Sequence, residues 1–562
     1  MKKKLLSIVL AASMVTSVCA CGNNATNANT SEPQVSTEKT TETASSESTT
    51  QPVEDTGITF PLAEEMSFEI VIPGTAEQVE LLEKCQLWKD LYEMTNIKVE
   101  ITPLDTEQLP SLLAAMYAAG KEPDAIWTGS GMSSENITAL ASEGYLMQLN
   151  DYVSDAEIMP NFSGRVLAES PSTKGLMADP NGNIYSLPRY NALMGDYLES
   201  AIWINKTWLD KLNLEIPTTM ETLEAVLEAF AKNDLTGNGN TDDEIPYFVK
   251  NSHGSYHYEV LLGSYGIATK NGAYENFVAV KDGEVSFVPV SETYKEYIQM
   301  LNRWYDKGII WEESFTASGE TVTAKYKSET PVIGMVTAKN PPASNYDDYV
   351  RIDPVTVEGF DPCWYLHPGF MGVTGMFSVS ASCENADVLL KWMDLFYDFD
   401  ISTRVRYGEP EDGRYEVVDG KVKLIDLDQA TTDALKETAP TLENCLSTGI
   451  TVYAWTAADF NERVILNVDQ QVKSESYEAY YDYLNTEIWP RPAFAAEDSG
   501  RIGELRTDIF NTVEECKAAW ITGERDIEAE WDSYVETINK MGLDEFVSIY
   551  QERYDVYMDA QK

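Results

Sequence analysis

Histidine and cysteine are scarce in this chain, and their scarcity excludes two kinds of chemistry. The 562 residues contain three histidines and seven cysteines, and no two cysteines form a CxxC pair. Such a set is too small for most zinc sites, and an odd, scattered group of cysteines is no disulfide framework. The cysteines beyond residue 21 are therefore interpreted as buried free thiols.

Basic residues are also few. Lysine and arginine number 41 against 92 acidic residues, which gives a formal net charge of −51. A surface of this sign repels nucleic acid over long distances, so we expect no nucleic-acid partner. The chain also has no GxSxG elbow, no Walker loop and no dinucleotide-binding fingerprint, which are the sequence signs of several large enzyme classes.

Long hydrophobic runs are absent beyond the first residues, so we expect no later segment to span a membrane. At the start, Lys2–Lys4 precede an apolar stretch from Leu5 to Val15, and Cys21 follows a small residue. This order is typical of a secretory signal whose cleavage leaves a cysteine for lipidation. We predict a signal peptide at residues 1–20 and a lipid anchor on Cys21; ordinary secretion with cleavage near the same place is the alternative.

Residues 21–60 are rich in Ser, Thr and Glu and contain almost no large apolar side chain. A segment of this composition cannot bury enough apolar surface to offset the entropy that it would lose on ordering. We therefore predict a disordered tether. With a lipid on Cys21, the tether would hold the remaining chain at the outer face of the bacterial cytoplasmic membrane. That remainder is long enough for two or three ordinary domains.

The first part of the body alternates short apolar segments with helical ones. The predicted elements are strands at Phe68–Ile72, Ile97–Ile101 and Ala125–Thr128, and helices at Ala76–Met94 and Leu109–Ala119. This alternation predicts an α/β fold with a parallel sheet. Ligands bind beyond the carboxyl ends of such strands, so Trp127 is a candidate ligand-binding residue, with a packed core tryptophan as the alternative.

A calcium-binding loop is predicted from spacing alone at Asp234–Glu244. Oxygen-bearing side chains fall at loop positions 1, 3, 5, 7 and 9, and Gly239 stands at position 6, where the loop turns sharply. The positions are Asp234, Thr236, Asn238, Asn240 and Asp242. Ile245 occupies position 12, so Asp243 or Glu244 would have to complete the shell. A loop held only by its own turns is the alternative.

The order of several segments resembles extracellular solute-binding protein family 1. They are KEPDAIW (121–127), ALASEGYLMQLNDYV (139–153), GNIYSLPRY (182–190) and WINKTWLDKLNLEIPTTMETLEAVLEAF (203–230). The resemblance continues to the C-terminus and is greatest for LplA-type lipoproteins and alginate-binding proteins. In the calcium loop, the likeness to alginate-binding proteins favours Asp243 as the closing ligand.

This resemblance implies a periplasmic-binding-protein type II fold, in which two α/β lobes joined by a hinge close on a ligand. We expect lobe I at residues 61–187 plus about 365–420, and lobe II at 188–364 plus about 421–562. The implied function is that of a monomeric receptor of an ABC importer, which binds an oligosaccharide and delivers it to membrane permease subunits. The calcium ion would be structural.

Sugar clefts are lined by aromatic faces and planar polar groups. Arg189 and Tyr190 lie in a segment that resembles the family's first crossover between the lobes, which implies that they line the cleft. A salt bridge between the lobes is the alternative role of Arg189. The other candidate ligand-binding residues are Trp203, Tyr256, His257, Trp364, Tyr365, Tyr407 and Trp455.

Two other functions remain open at this stage. A surface-anchored glycoside hydrolase or lyase needs two carboxyl groups across a sugar cleft, which a sequence rich in acids cannot reveal. A peptide or small-molecule receptor could use the same fold, because a fold does not determine its ligand. The resemblance supplies no catalytic pair, so we expect no enzymatic activity.

Overall fold

The computed structural model describes residues 57–129, 132, 134–193, 197–250, 257–268, 277–342, 346–366, 373–446, 451–485, 487–490, 494 and 496–560. The predicted signal peptide, Cys21, the tether up to residue 56 and Tyr256 lie outside these residues. Within the described ranges, no helix has both the length and the apolar character to cross a membrane.

Strands and helices alternate along the chain, as an α/β fold requires. The strands are β1 (Met66–Pro73), β2 (Ile97–Leu104), β3 (Ala125–Trp127), β4 (Leu187–Asn191), β5 (Ala201–Asn205), β6 (Ile245–Phe248), β7 (Val278–Lys281), β8 (Glu284–Phe287), β9 (Ile333–Ala338), β10 (Tyr349–Ile352), β11 (Val373–Val379), β12 (Tyr415–Val418), β13 (Lys421–Leu424), β14 (Ala454–Trp455) and β15 (Val464–Ile465).

The helices are α1 (Ala76–Leu81), α2 (Gln86–Thr95), α3 (Leu109–Ala118), α4 (Ser134–Ser142), α5 (Thr173–Met177), α6 (Lys206–Leu212), α7 (Met220–Ala231), α8 (Glu292–Asp306), α9 (Gly319–Tyr326), α10 (Ala386–Asp394), α11 (Phe399–Tyr407), α12 (Gln429–Thr438), α13 (Leu442–Cys445), α14 (Ala457–Arg463), α15 (Val468–Tyr480), α16 (Ala496–Ile521), α17 (Ile527–Lys540) and α18 (Leu543–Ala560).

Polar side chains fix where several helices begin. Thr75, Thr219 and Ser291 each accept a hydrogen bond from a backbone N–H three residues further on, which satisfies a donor that the helix leaves free. The helix predicted at residues 76–94 is instead two helices, because the chain is extended at Cys85, the residue before α2.

Lobe I is built on a six-stranded sheet in the order β14-β4-β11-β3-β1-β2. β11 is antiparallel to β3 and β4, whereas β1 pairs in parallel with β2 and β3, and β4 pairs in parallel with β14. Its core contains the fully buried rings of Trp127, Phe162, Trp392 and Phe396. Ile58 and Phe60 already pack against this core, so the folded body begins before residue 61.

Lobe II is built on a four-stranded sheet in the order β10-β5-β9-β6. β6 and β9 are parallel, and β5 is antiparallel to both of its neighbours. Helix α16, the first of the last three helices of the chain, packs on α8 and on α18. The core is aromatic and includes the buried rings of Trp208, Tyr247, Tyr297 and Trp304.

The second boundary of lobe I lies later than expected. β14 pairs with β4, and Val464 of β15 packs with Phe399 and Trp455, so residues 421–465 belong to lobe I and not to lobe II. Along the described residues, the chain therefore leaves one lobe for the other three times, after Asn191, after Ile352 and after Ile465. β14 is two residues long, too short for a hydrophobic pattern to reveal it.

Candidate functional site

The carboxyl ends of the lobe I strands point toward lobe II. β4 ends at Asn191 and leads directly into the first crossover, and β11, which begins after the second crossover, is antiparallel to β4. β3 and β14 run in the same direction as β4, so Trp127, Asn191 and Trp455 end their strands at one edge of the sheet. This is the edge at which open α/β sheets bind ligands.

Lobe II presents the corresponding edge of its own sheet. β5 enters from the first crossover, and its neighbours β9 and β10 run antiparallel to it, so their carboxyl ends point back toward lobe I. β6 is parallel to β9 and ends at the same edge. The carboxyl ends of the strands in one sheet therefore point toward those in the other. The space between the two sheets is the candidate cleft.

Four buried polar atoms at the carboxyl ends of these strands have no hydrogen-bond partner among the described residues. They are the indole Nε1 atoms of Trp127 and Trp455 and the amide oxygens of Asn191 and Asn340. Trp127, Trp455 and Asn191 are the last residues of β3, β14 and β4, and Asn340 follows the end of β9. Nearly all buried polar groups in native proteins are paired, so a polar ligand between the sheets would complete these four. Neither asparagine was predicted from the sequence to bind a ligand.

The ring of Trp127 packs in the core of lobe I. Its centroid lies 5.3 Å from that of Phe396 and 5.9 Å from that of Phe377, both edge to face. The side chain is fully buried. This placement favours the packing alternative, although Nε1 has no hydrogen-bond partner among the described residues.

Arg189 lies on β4 with its guanidinium carbon 5.5 Å from the centre of the Tyr453 ring. The side chain is partly exposed, and the ion pairs of the described residues do not include it. Tyr190 points the other way: it is buried, and its hydroxyl donates a hydrogen bond to Glu169 Oε1 at 2.9 Å. Burial, with the nearby Tyr197 and Glu169, raises the pKa of Tyr190 far above its ordinary value.

Tyr407 and Trp455 belong to a small aromatic cluster beside Tyr453. Trp455 is fully buried and stacks on Phe399 with centroids 5.6 Å apart. The guanidinium of Arg406 lies 4.9 Å from the Tyr453 ring centre and 5.1 Å from that of Tyr407. Tyr453 thus contacts two arginines, Arg189 and Arg406, at the end of the sheet.

Trp203 and Trp364 both have structural contacts. Trp203 Nε1 donates to the carbonyl oxygen of Ala338 at 3.1 Å, across β5 and β9. Trp364 is 2% exposed, donates from Nε1 to the Ser200 carbonyl, and lies so close to Gly263 that a Cβ there would come within 2.5 Å of the ring. These contacts favour packing for both tryptophans.

His257 and Tyr365 line a small cavity beside the second crossover. His257 Nδ1 lies 3.3 Å from Glu259 Oε2, and its Nε2 is buried with no partner among the described residues. Glu259 also binds Lys517 at 2.7 Å. Burial opposes the charge on Glu259, but Lys517 and His257 hold its pKa below its ordinary value. Burial raises the pKa of Tyr365.

A recess on lobe I, between α4, α5 and the start of β11, contains polar groups that were not predicted from the sequence. Its lining includes Asp179, Asn183 and Tyr185. Asp179 Oδ1 accepts hydrogen bonds from the backbone N–H groups of Asn181 and Asn183 at 2.8 and 2.9 Å, which fixes the turn that carries it. Tyr185 is partly exposed and offers an aromatic face.

The predicted calcium loop is folded around Asp234. Its carboxylate accepts hydrogen bonds from the backbone N–H groups of Gly237 and Gly239, both at 2.7 Å, and those bonds, the one from Gly239 first, lower the pKa of Asp234. Gly239 has a φ of +86°, which a side chain would resist. Glu244 Oε1 accepts from the backbone N–H groups of Leu235 and Thr236, which closes the loop at its base.

Two oxygens of this loop fit a cation. Asp243 Oδ1 and Glu244 Oε2 are buried and have no hydrogen-bond partner among the described residues. Carboxylate, amide and hydroxyl oxygens are the ligands that calcium prefers. No group of three or more His, Cys, Asp or Glu side chains stands in metal-binding geometry within the described ranges, so the amide and hydroxyl oxygens of the loop would have to contribute.

A family model described as bacterial extracellular solute-binding protein matches residues 42–360, more than half of the chain. The chain belongs to this family. The match confirms the resemblance noted in the sequence. The solved structures similar to this solute-binding protein also confirm its two-lobed α/β fold.

Relatives of this solute-binding protein cover nearly all of its body. The fructooligosaccharide ABC transporter substrate-binding protein FusA of Streptococcus pneumoniae is 27% identical over 515 residues, 89% of this chain and 92% of FusA. The structure of an HMO-binding, ABC-transporter-associated solute-binding protein from Bifidobacterium longum infantis has a TM-score of 0.73 at 25% identity, covering 88% of this chain and 99% of that one. An EF-hand mutant of FusA in complex with fructo-nystose has a TM-score of 0.69 at 23% identity and covers 88% and 99%, which shows the fold alone.

Proposed function

We propose that this protein is the receptor of an ABC importer, which binds an oligosaccharide between its two lobes and delivers it to membrane permease subunits. The observation that carries the proposal is the collection of unpaired polar atoms at Trp127, Asn191, Trp455 and Asn340, where the two sheets face each other. Saccharide hydroxyls both donate and accept hydrogen bonds, so they suit indole N–H groups and amide oxygens together. The ligands named for FusA and for the Bifidobacterium protein support a saccharide.

Closure of the lobes would enclose the ligand and would present one combined surface to the permease. Contacts made only in the closed form favour that form, because a ligand shifts such an equilibrium by its difference in affinity for the two states. The receptor acts as a monomer and breaks no bond. The relatives described above are substrate-binding components of transporters and not enzymes.

The anchor is a lipid on Cys21, followed by the Ser/Thr/Glu-rich tether. This places the receptor outside the cell at the outer face of the cytoplasmic membrane, where it can reach a permease. The charge pattern Lys2–Lys4, the apolar stretch and Cys21 support this part of the proposal.

A structural calcium ion is part of the proposal and rests on the loop itself. Its ligands are Asp234, Thr236, Asn238, Asn240, Asp242 and Asp243. Asp243 is favoured over Glu244 because Glu244 Oε1 already holds two backbone N–H groups, whereas Asp243 Oδ1 is unpaired. The ion would neutralise the acidic loop and brace lobe II at the end of α7.

A thermal-shift screen of the mature protein tests the function. Neutral oligosaccharides, galacturonate oligomers and peptides are added in the presence of calcium, and each stabilising compound is then checked for cleavage by mass spectrometry. Stabilisation by an intact saccharide is the expected result, because ligand binding to the native state raises the melting temperature. Cleavage of the saccharide would make the protein an enzyme, and a response to peptides alone would remove carbohydrates from the proposal.

A further inference from the structure

Asp469 links two side chains at the carboxyl edge of the lobe II sheet. It lies in the first turn of α15, shortly after the chain leaves lobe I for the last time. Its Oδ1 atom accepts a hydrogen bond from Asn340 Nδ2 and another, at 3.0 Å, from the Tyr346 hydroxyl. Its Oδ2 atom lies 3.0 Å from Nζ of Lys473. Asn340, which follows β9, is thus held by the segment that enters from the other lobe.

Asp469 determines which end of the Asn340 amide remains available. A carboxylate paired with a lysine only accepts hydrogen bonds, so it must face the amide nitrogen and not the amide oxygen. Asn340 Oδ1 is buried and has no hydrogen-bond partner among the described residues. The Tyr326 hydroxyl donates to the backbone carbonyl of Asn340 at 2.7 Å, which holds the backbone beyond β9. Oδ1 is therefore fixed as an unsatisfied acceptor.

The Tyr346 hydroxyl is left with the same polarity. A phenol has one hydrogen, and Tyr346 gives it to Asp469, so its oxygen can only accept from any further group. Burial and the neighbouring Asp469 raise the pKa of Tyr346, which keeps that hydrogen in place. Tyr346 and Asp469 are both partly exposed. The cluster therefore lies at the surface of lobe II and not within its core.

We propose that Asn340 Oδ1 and Tyr346 Oη form an acceptor pair that takes hydroxyl groups of the saccharide as donors, with Asp469 as the positioning residue that sets this polarity. The inference rests on the proposed transport function and specifies which groups of the ligand are recognised. A sugar hydroxyl supplies a hydrogen to each acceptor, whereas a carboxylate has none to supply. Lys473 balances the charge of Asp469, so the cluster gives a carboxylate no net attraction.

A purely structural role of Asp469 is the alternative, with an ordered water completing Asn340 Oδ1. It predicts that loss of Asp469 changes stability and leaves the choice between saccharides unchanged. The acceptor role predicts a change in that choice. With an amide in place of Asp469, the Asn340 amide could turn and present its N–H groups to the ligand. The ratio of affinities for neutral and acidic sugars therefore separates the two roles.

The test compares the wild type with Asp469→Asn and with Tyr346→Phe, which removes one acceptor oxygen and keeps the ring. Asp433→Asn is the matched control. Asp433 lies on α12 in lobe I, and its Oδ1 accepts from Gln429 at 3.0 Å and from Lys436 at 2.9 Å. The control thus removes the same charge beside an amide and a lysine, away from the cleft.

The probes are kestose, galactotriose and trigalacturonate, measured by titration calorimetry at one ionic strength. Galactotriose and trigalacturonate differ in carrying a hydroxymethyl or a carboxylate group on each ring. The wild type is expected to bind a neutral probe more tightly than trigalacturonate. Asp469→Asn should lose about tenfold in affinity for that neutral probe, and its ratio of neutral to acidic affinity should fall by the same factor. Tyr346→Phe should lose a similar factor, and Asp433→Asn should change neither value.

Three results would overturn the inference while the transport function stands. Tightest wild-type binding to trigalacturonate would exclude an acceptor pair. Unchanged affinity for the neutral probe in both Asp469→Asn and Tyr346→Phe would remove their role in binding. Equal losses for neutral and acidic probes in Asp469→Asn would leave only the structural role. If neither these probes nor any other saccharide of the thermal-shift screen binds the wild type, the transport proposal itself fails, and the inference falls with it.

Discussion

The indole Nε1 of Trp364 donates a hydrogen bond to the carbonyl oxygen of Ser200 at 2.6 Å. Ser200 ends the first crossover between the lobes, and Trp364 lies in the second. Leu198 and Leu366 form an antiparallel bridge beside them, so the two crossovers run together as a pair. Tyr480, which packs against Trp364, donates to the Ile352 carbonyl at 2.6 Å and fixes the start of the second crossover.

Trp364→Ala is expected to destabilise the protein by about 3 to 5 kcal/mol, because it leaves a cavity in a buried hinge. Trp364→Phe keeps part of the ring and should cost less. Urea unfolding measures both. A loss of saccharide affinity with an unchanged free energy of unfolding would instead return Trp364 to the ligand-binding residues.

Calcium removal is expected to lower the melting temperature with little change in saccharide affinity of the folded protein. An ion at a hundred times its dissociation constant contributes about 2.7 kcal/mol to stability. Asp243→Asn should weaken the response to a chelator, whereas Glu244→Gln, which keeps the acceptor at the base of the loop, should retain it. An unchanged melting temperature after addition of the chelator would refute the calcium site.

Asn191→Ala is expected to weaken saccharide binding about tenfold while the free energy of unfolding stays within about 0.5 kcal/mol, because the amide oxygen has no partner to lose. Asn150→Ala is the matched control: its Oδ1 accepts from the backbone N–H of Ile184 at 2.8 Å, so its loss should reduce stability instead. Calorimetry and urea unfolding together separate the two effects. Equal affinity in Asn191→Ala and wild type would count against the cleft assignment.

Asp394 is expected to make stability fall as pH rises through its titration range. Burial raises the pKa of Asp394 to about 6, despite hydrogen bonds from the N–H groups of Asn161 and Phe162. The folded state therefore holds this proton more tightly than the unfolded state, where the pKa is 3.8. The contribution is complete below about pH 4 and is lost as the pH passes 6, by up to about 3 kcal/mol.

Urea unfolding of wild type and Asp394→Asn between pH 4 and pH 7 measures the contribution of Asp394 to the free energy of unfolding. The difference in free energy of unfolding, wild type minus variant, should fall across that range. A difference that stays constant would show that folding does not raise the pKa of Asp394 above its value in the unfolded chain.

Cys21→Ala is expected to release the protein into the medium, because cleavage of the signal would leave nothing in the bilayer. Fractionation of cells, followed by immunoblotting, measures the distribution. Continued membrane association of the variant would refute lipidation at Cys21.

Much of the scaffold could be predicted from the sequence, because its signals are local. The strands near Phe68 and Ile97 carry short apolar patterns, and the segment order identified the family. The division of one predicted helix at Cys85 and the two-residue strand β14 could not be predicted, since both depend on packing and not on periodicity.

The site was harder to predict, because the same aromatic residue types line sugar clefts and fill protein cores. Trp127, Trp203 and Trp364 are buried by their neighbours, a property of tertiary packing. Asn191 carried no signal except its place at the end of a strand.

The interleaving of the two lobes along the chain also affects how the protein can fold. The sheet of lobe I lacks its edge strand until Trp455 is available, and the core of lobe II lacks Phe546 and Tyr550 until almost the whole chain is present. Lobe I therefore cannot complete its sheet before Trp455 has been made, and lobe II cannot complete its core before Tyr550 has been made. We expect such an arrangement to delay folding until most of the chain has been made, and an unfolded chain is the state that a secretion channel can thread.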